Sequence, residues 1–109
     1  MNCLEINTLK DWFEQVVNNQ RPVVVSFFAD WCAPCRKLNP QLIQEAEKNT
    51  EKWQLVLVNV NNDELYDVVH QCVKAQVPSV CLFNMGTQTD LMTGYSERKI
   101  KSFFEKIRS

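Results

Sequence analysis

Two thiols three residues apart, in Trp31-Cys32-Ala33-Pro34-Cys35, are the groups in this chain best suited to chemistry. A thiolate can attack a disulfide, and a second thiol one helical turn away can then attack the mixed disulfide. The substrate leaves reduced and an internal Cys–Cys bond remains. Just before the pair, residues 23–29 (VVVSFFA) form the nearly continuous β-branched and aromatic run expected of a strand covered on both faces. Just after it, Leu38, Leu42, Ile43 and Ala46 keep a helical period to about Asn49, with Pro40 expected to kink the helix. The thiols are therefore expected at the carboxyl end of a central strand and at the start of a helix. There, unpaired N–H groups and the helix dipole favour an anion. That setting lowers a thiol pKa, so Cys32 is the expected nucleophile and Cys35 the resolving thiol. Pro34 fits the first helical turn, where its missing donor is not needed, and stiffens the short ring. The competing readings are a zinc half-site or two bystander core thiols. Structural zinc normally takes a second ligand pair, and only Cys72, Cys81 and the lone His70 remain for it, which favours redox chemistry.

The elements that must hold this pair follow from the rest of the chain. Leu9, Trp12, Phe13, Val16 and Val17 repeat at helical spacing behind an N-cap candidate, Thr8, with Asp11 in the first turn. Residues 55–60 (LVLVNV) read as a second buried strand, and Asn61-Asn62-Asp63 offers caps for a short helix over about 64–71. Residues 79–83 read as a third strand, Met85-Gly86 as a turn, and residues 89–93 as a weaker returning strand. Ile100, Phe103, Phe104 and Ile107 mark a last amphipathic helix behind Ser96. With a short strand over about 3–6, the order is βαβαβαββα. An α/β fold is expected, its sheet mainly parallel with antiparallel strands at one edge.

Length and composition agree with one domain over residues 1–109. The chain has 45% hydrophobic and 23% charged residues, near the globular average. A net charge of −1 provides no positive field for nucleic acid or for an anionic membrane surface. No apolar run nears the ~20 residues of a membrane span. The first 22 residues carry Glu5, Lys10, Asp11 and Glu14, which suits no signal-peptide core. Five cysteines with only one closely spaced pair argue against a secreted disulfide framework. A reducing, intracellular location is expected.

The stretch VVVSFFADWCAPCRKLNP resembles the active-site region of thioredoxins, with their apolar strand, Trp-Cys-Gly-Pro-Cys and Pro-containing helix. Val77-Pro78-Ser79 is similar to the segment holding the family's cis-proline, and Gly86 and Gly94 stand where thioredoxins have glycines. The likeness covers essentially the whole chain. It implies a thioredoxin fold, a central mixed five-stranded sheet flanked by four helices, and protein-disulfide reductase activity with no bound cofactor. It further implies that Trp31, Ala33, Pro34, Val77, Pro78 and Gly94 border the surface on which a client polypeptide meets Cys32. A cis peptide before Pro78 would expose backbone groups for pairing with that client.

The implied partners are disulfide-containing clients and a separate reductase such as a thioredoxin reductase, with the chain acting as a monomer in the cytoplasm, or in an organelle after loss of a targeting peptide. Two other roles fit the same fold: an adaptor or chaperone module with an idle dithiol, and a dedicated electron donor to a peroxidase. Two positions depart from the family. Ser26 stands where thioredoxins usually bury an Asp beneath the second cysteine, and Leu57 where the accompanying Lys is common. Loss of the usual proton acceptor predicts slower resolution by Cys35, or a different pH profile, with a water held by Ser26 as one substitute. Phe28 in place of a second Trp is read as packing, and Cys81 as an inert core thiol. Cys3 stays unassigned. Cys72, placed near the client face, is a candidate for regulatory oxidation or a disulfide-linked dimer.

Overall fold

The alternation of buried strands and amphipathic helices is realised in a computed structural model of the chain, which describes residues 2–108. The strands are β1 (Cys3–Glu5), β2 (Val23–Phe28), β3 (Gln54–Asn59), β4 (Ser79–Asn84) and β5 (Thr87–Thr93). The helices are α1 (Leu9–Trp12), α2 (Ala33–Lys48), α3 (Tyr66–Cys72) and α4 (Glu97–Arg108). The order βαβαβαββα is borne out, with strand ends shifted by one or two residues. In the sheet, β1-β3-β2-β4-β5, the VVVSFF strand is central. It runs parallel to β3, which runs parallel to β1, and antiparallel to β4, whose hairpin partner β5 closes the edge.

Strand side chains alternate between the two faces of a sheet, so β2 feeds two cores. Val23, Val25 and Phe27 pack with Trp12, Val16, Leu65, Val68 and Val69 under α1 and α3. Val24 packs on the other side with Leu38, Leu42 and Ala46 of α2, and with Ile100 and Phe103 of α4. Burial on both faces is why β2 reads as an apolar run broken only by Ser26. Trp53 is buried in the second core, while Phe104 reaches only its edge.

Three local features refine the sequence expectations. The first helix changes its hydrogen bonding after Trp12. Phe13–Val17 form a π-helical turn closed by the Asn18 N–H donating to the Phe13 carbonyl at 2.9 Å. The apolar spacing suits both ring sizes and so does not separate them. The expected short helix begins as a 3₁₀ turn, Asp63–Leu65, in which the Glu64 N–H donates to the Asn62 side chain at 3.1 Å. The Met85-Gly86 turn has φ of 53° and 82°, as a two-residue hairpin of primed type requires. A Cβ on Gly86 would lie 2.8 Å from the Val17 carbonyl oxygen, so the hairpin tip also needs the missing side chain to approach the π-helical turn. Among the described residues, no helix is long and apolar enough to cross a membrane.

Candidate active site

The carboxyl end of β2 runs directly into the start of α2, and Cys32 is the residue at the junction. Its backbone is extended (φ −89°, ψ 105°), which makes it the N-cap of α2, and its sulfur accepts the Cys35 N–H at 3.2 Å. A sulfur in this position satisfies one of the donors that a helix start leaves unpaired, and it faces the positive end of the helix dipole. Ala33 and Pro34 form the first turn, where Pro34 removes no needed donor, and the helix continues through Pro40 to Lys48. Cys32 and Cys35 are joined as a disulfide with Cα atoms 5.3 Å apart. Both are buried, at 3% and 2% exposure, and pack with Ala29 against Phe28, Val60 and Val77.

The other residues singled out from the sequence lie around this pair. Trp31 is 70% exposed and, with Val60, Val69, Val73, Val77 and His70, lines a groove of about 290 Å³. The Val77-Pro78 peptide is cis, and Val77 packs against the cysteines. The Gly94 N–H donates to the Pro78 carbonyl at 2.8 Å, so the turn after β5 is tied to the Val-Pro segment. Gly94 itself has φ of 77°, a conformation that favours glycine. Ala33 and Pro34 border a second hollow with Lys37 and Tyr95. The Tyr95 hydroxyl accepts from Gln41 Nε2 at 3.0 Å, which fastens the Gly94 turn to α2. The Asp30 carbonyl accepts from Arg36 at 2.9 Å, which anchors the loop before Cys32.

Ser26 and Leu57 are register partners on β2 and β3. Ser26 is completely buried, and its hydroxyl donates to Asn39 Oδ1 of α2 at 2.7 Å. Leu57 joins the apolar packing under α2 and α4. At the two positions where the resemblance implies an acid and a lysine, the structure thus holds a hydroxyl paired with an amide and a leucine. Asn39 was not anticipated as a site residue. Its signal lay in the periodicity of α2, where positions 35, 38, 39, 42, 43 and 46 form the inward stripe and Asn39 is its one polar member.

The remaining thiols correct one expectation. Cys72 is only 7% exposed, because it ends α3 on its inward side and joins the core beneath that helix together with Cys81. Its thiol is held below the ordinary range chiefly by the thiol of Cys81, which is pushed up by the same contact and by burial. Cys72 thus lies in the core beneath α3 against Cys81, and not on an exposed client face as the sequence suggests. Cys3 is partly buried, and burial, then Glu47 and Glu5, push its thiol up, away from reactivity. His70 is a surface residue as expected, stacked on Tyr66 with ring centroids 3.9 Å apart. Among the described residues, no three His, Cys, Asp or Glu side chains cluster so as to hold a metal.

Known proteins carry the same pattern. The family model described as Thioredoxin matches residues 4–106. A thioredoxin of Rickettsia bellii is 36% identical over 91 residues, covering 84% of this chain and 85% of that protein. The mitochondrial thioredoxin of Mus musculus is 33% identical over 98 residues, covering 89% of this chain and 58% of its own length. A solved structure of a Malassezia sympodialis thioredoxin matches in fold with a TM-score of 0.83, over 100% of this chain and 96% of that one, at 23% identity. With a family match over nearly its whole length, on a fold that sets a cysteine pair at a helix start, this chain belongs to the thioredoxin family of protein-disulfide oxidoreductases.

Proposed function

We propose that the chain, acting as one unit over residues 1–109, reduces disulfides in client polypeptides, with Cys32 attacking and Cys35 resolving. The observation that carries this reading is the N-cap position of Cys32, whose sulfur accepts the Cys35 N–H at 3.2 Å at the positive end of a 16-residue helix. After reduction the same donor and dipole favour the Cys32 thiolate. In the first step that thiolate attacks a client disulfide, one client sulfur leaves, and a mixed disulfide forms. In the second, Cys35 attacks Cys32, the second client sulfur leaves, and the internal disulfide remains. Trp31, Ala33, Pro34, Val77, Pro78 and Gly94 border the cysteines and form the client-binding surface. The exposed Trp31 and the apolar groove beside it suit an extended segment with apolar side chains next to its cystine.

The oxidised chain is returned to the dithiol by a separate reductase that holds the electron source. The working compartment is a reducing one, the cytoplasm. The likeness to a mitochondrial thioredoxin supports an organelle as the second reading.

Trapping tests the division of labour. Cys35→Ser incubated with a disulfide-bonded protein such as insulin is expected to accumulate a covalent adduct on Cys32. The adduct should be visible on a non-reducing gel and lost on reduction, and Cys32→Ser should form none. An adduct that forms equally in Cys32→Ser, or only through Cys35, contradicts the assignment.

A further inference from the structure

Cys35 and Asn39 are four residues apart on α2, which puts their side chains on one face of the helix. Both line a cavity of about 460 Å³ whose other walls include Phe28, Ala29, Pro40 and Ile43. The cavity is therefore largely apolar, with a carboxamide on one wall and the second cysteine on another. The single hydroxyl proton of Ser26 is committed to Asn39 Oδ1 at 2.7 Å. That contact fixes the orientation of the amide, and Asn39 Nδ2 makes no hydrogen bond to the described residues. Asn39 is partly exposed, so this donor is turned to a space that water can enter. The charged side chains bordering the cavity are Asp30 and Arg36, and the guanidinium of Arg36 is engaged by the Asp30 carbonyl. Lys37 leans over the Tyr95 ring at 6.0 Å and His70 lines the groove beyond Trp31, so neither borders this cavity. The remaining neighbours of the cysteines, Val60 and Val77, are apolar.

We infer that Asn39 is a positioning residue for Cys35: its carboxamide, oriented by the Ser26 hydroxyl, holds the water that takes the Cys35 proton in the resolving step. The inference rests on the dithiol reading above. Cys35–SH gives its proton to the held water, which passes it to solvent through the open cavity. The Cys35 sulfur attacks Cys32, the bond between Cys32 and the client breaks, and the client sulfur leaves as a thiolate that is protonated by solvent. Two electrons pass from the dithiol to the client disulfide, with no further reductant in the step. Neither Ser26 nor Asn39 ionises, so the pH dependence of this step reflects Cys35 alone, with no inflection from a buried carboxyl.

The test is a single-turnover reaction of the reduced protein with a disulfide-bonded peptide, acid-quenched and read by mass spectrometry. It yields the formation and release of the mixed disulfide separately. Asn39→Ala is expected to leave formation within about twofold and to slow release about tenfold, a modest share of what general acid–base catalysis contributes. The pH profile of release should move to higher pH. Ser26→Ala should slow release similarly, and the double variant little further, since both act through one water. Asn39→Asp should restore release and add an inflection at lower pH, and Asp30→Asn should leave both steps unchanged. Release and its pH profile unaltered in Asn39→Ala, or lost instead in Asp30→Asn, would overturn the assignment of Asn39 while the dithiol reading stands. A wild-type protein that forms no mixed disulfide at Cys32 would overturn both.

Discussion

Ser26 lies between Val25 and Phe27 in the central strand, where water does not reach its hydroxyl, and its hydrogen-bond partner comes from a helix thirteen residues on. A buried hydroxyl needs one partner, whereas a buried carboxylate needs a compensating charge or several donors. Leu57, beside Ser26 in the sheet, supplies no charge, so the fully buried position 26 suits a neutral group. Ser26→Asp should therefore hold its carboxyl protonated well above the ordinary range, because desolvation disfavours the anion. The folded state would then bind a proton that the unfolded chain has released. Stability of the variant relative to wild type should fall as pH rises above about 4, by at most about 1.4 kcal/mol per pH unit, until the folded pKa is passed. Urea midpoints at pH 4, 6 and 8 check this, and a difference that does not change with pH would count against a neutral-only site. That position 26 carries a neutral hydroxyl in a buried strand was legible in the sequence. Its partner was not, because which residue of α2 meets Ser26 depends on how the helix crosses the sheet.

At the scale of elements, the strands were legible because β2, β3 and β4 are buried on both faces, and short, mostly apolar runs of valine, leucine and phenylalanine bounded by polar residues mark such strands. The start of α1 was legible for a similar reason. The Asp11 N–H donates to Thr8 Oγ1 at 3.0 Å, and the Asp11 carboxylate accepts the Asn7 and Thr8 N–H groups at 3.2 and 3.3 Å. The π-helical turn was not legible, because it changes which carbonyl each N–H meets without changing which side chains are apolar. The cap gives two expected outcomes. Thr8→Ala should cost about 1 kcal/mol, as loss of an N-cap usually does. The Asn7 N–H, with smaller help from Thr8, holds the Asp11 carboxyl below its ordinary range. The contribution of Asp11 is therefore complete above about pH 4 and is lost as pH falls through the lower folded value. Asp11→Asn should be less stable than wild type at pH 7, and the gap should be narrower at pH 2. Chemical denaturation at the two pH values decides, and a gap that is no narrower in acid would contradict the capping role.

For the whole molecule, the sheet order and the two-sided core bring one strand end, one helix start and the Val77-Pro78 segment to a common edge, where the cysteines lie. This convergence was legible because the motif on each piece is local: a CxxC after a buried strand, and a Val-Pro before another. Contacts made across the molecule were less so. Cys72 looked accessible from its place at a helix end, yet the packing of α3 on the sheet turns it inward against Cys81. Cys32 and Cys35 are the cysteines joined as a disulfide at that edge, beside the exposed Trp31, and the protein's activity should depend on Cys32 above all. Insulin reduction driven by dithiothreitol, followed by turbidity, is the most direct measurement. The wild-type chain should precipitate the insulin B chain well before the uncatalysed control, and Cys32→Ser should match that control, whereas equal rates for wild type and Cys32→Ser would contradict a catalytic dithiol.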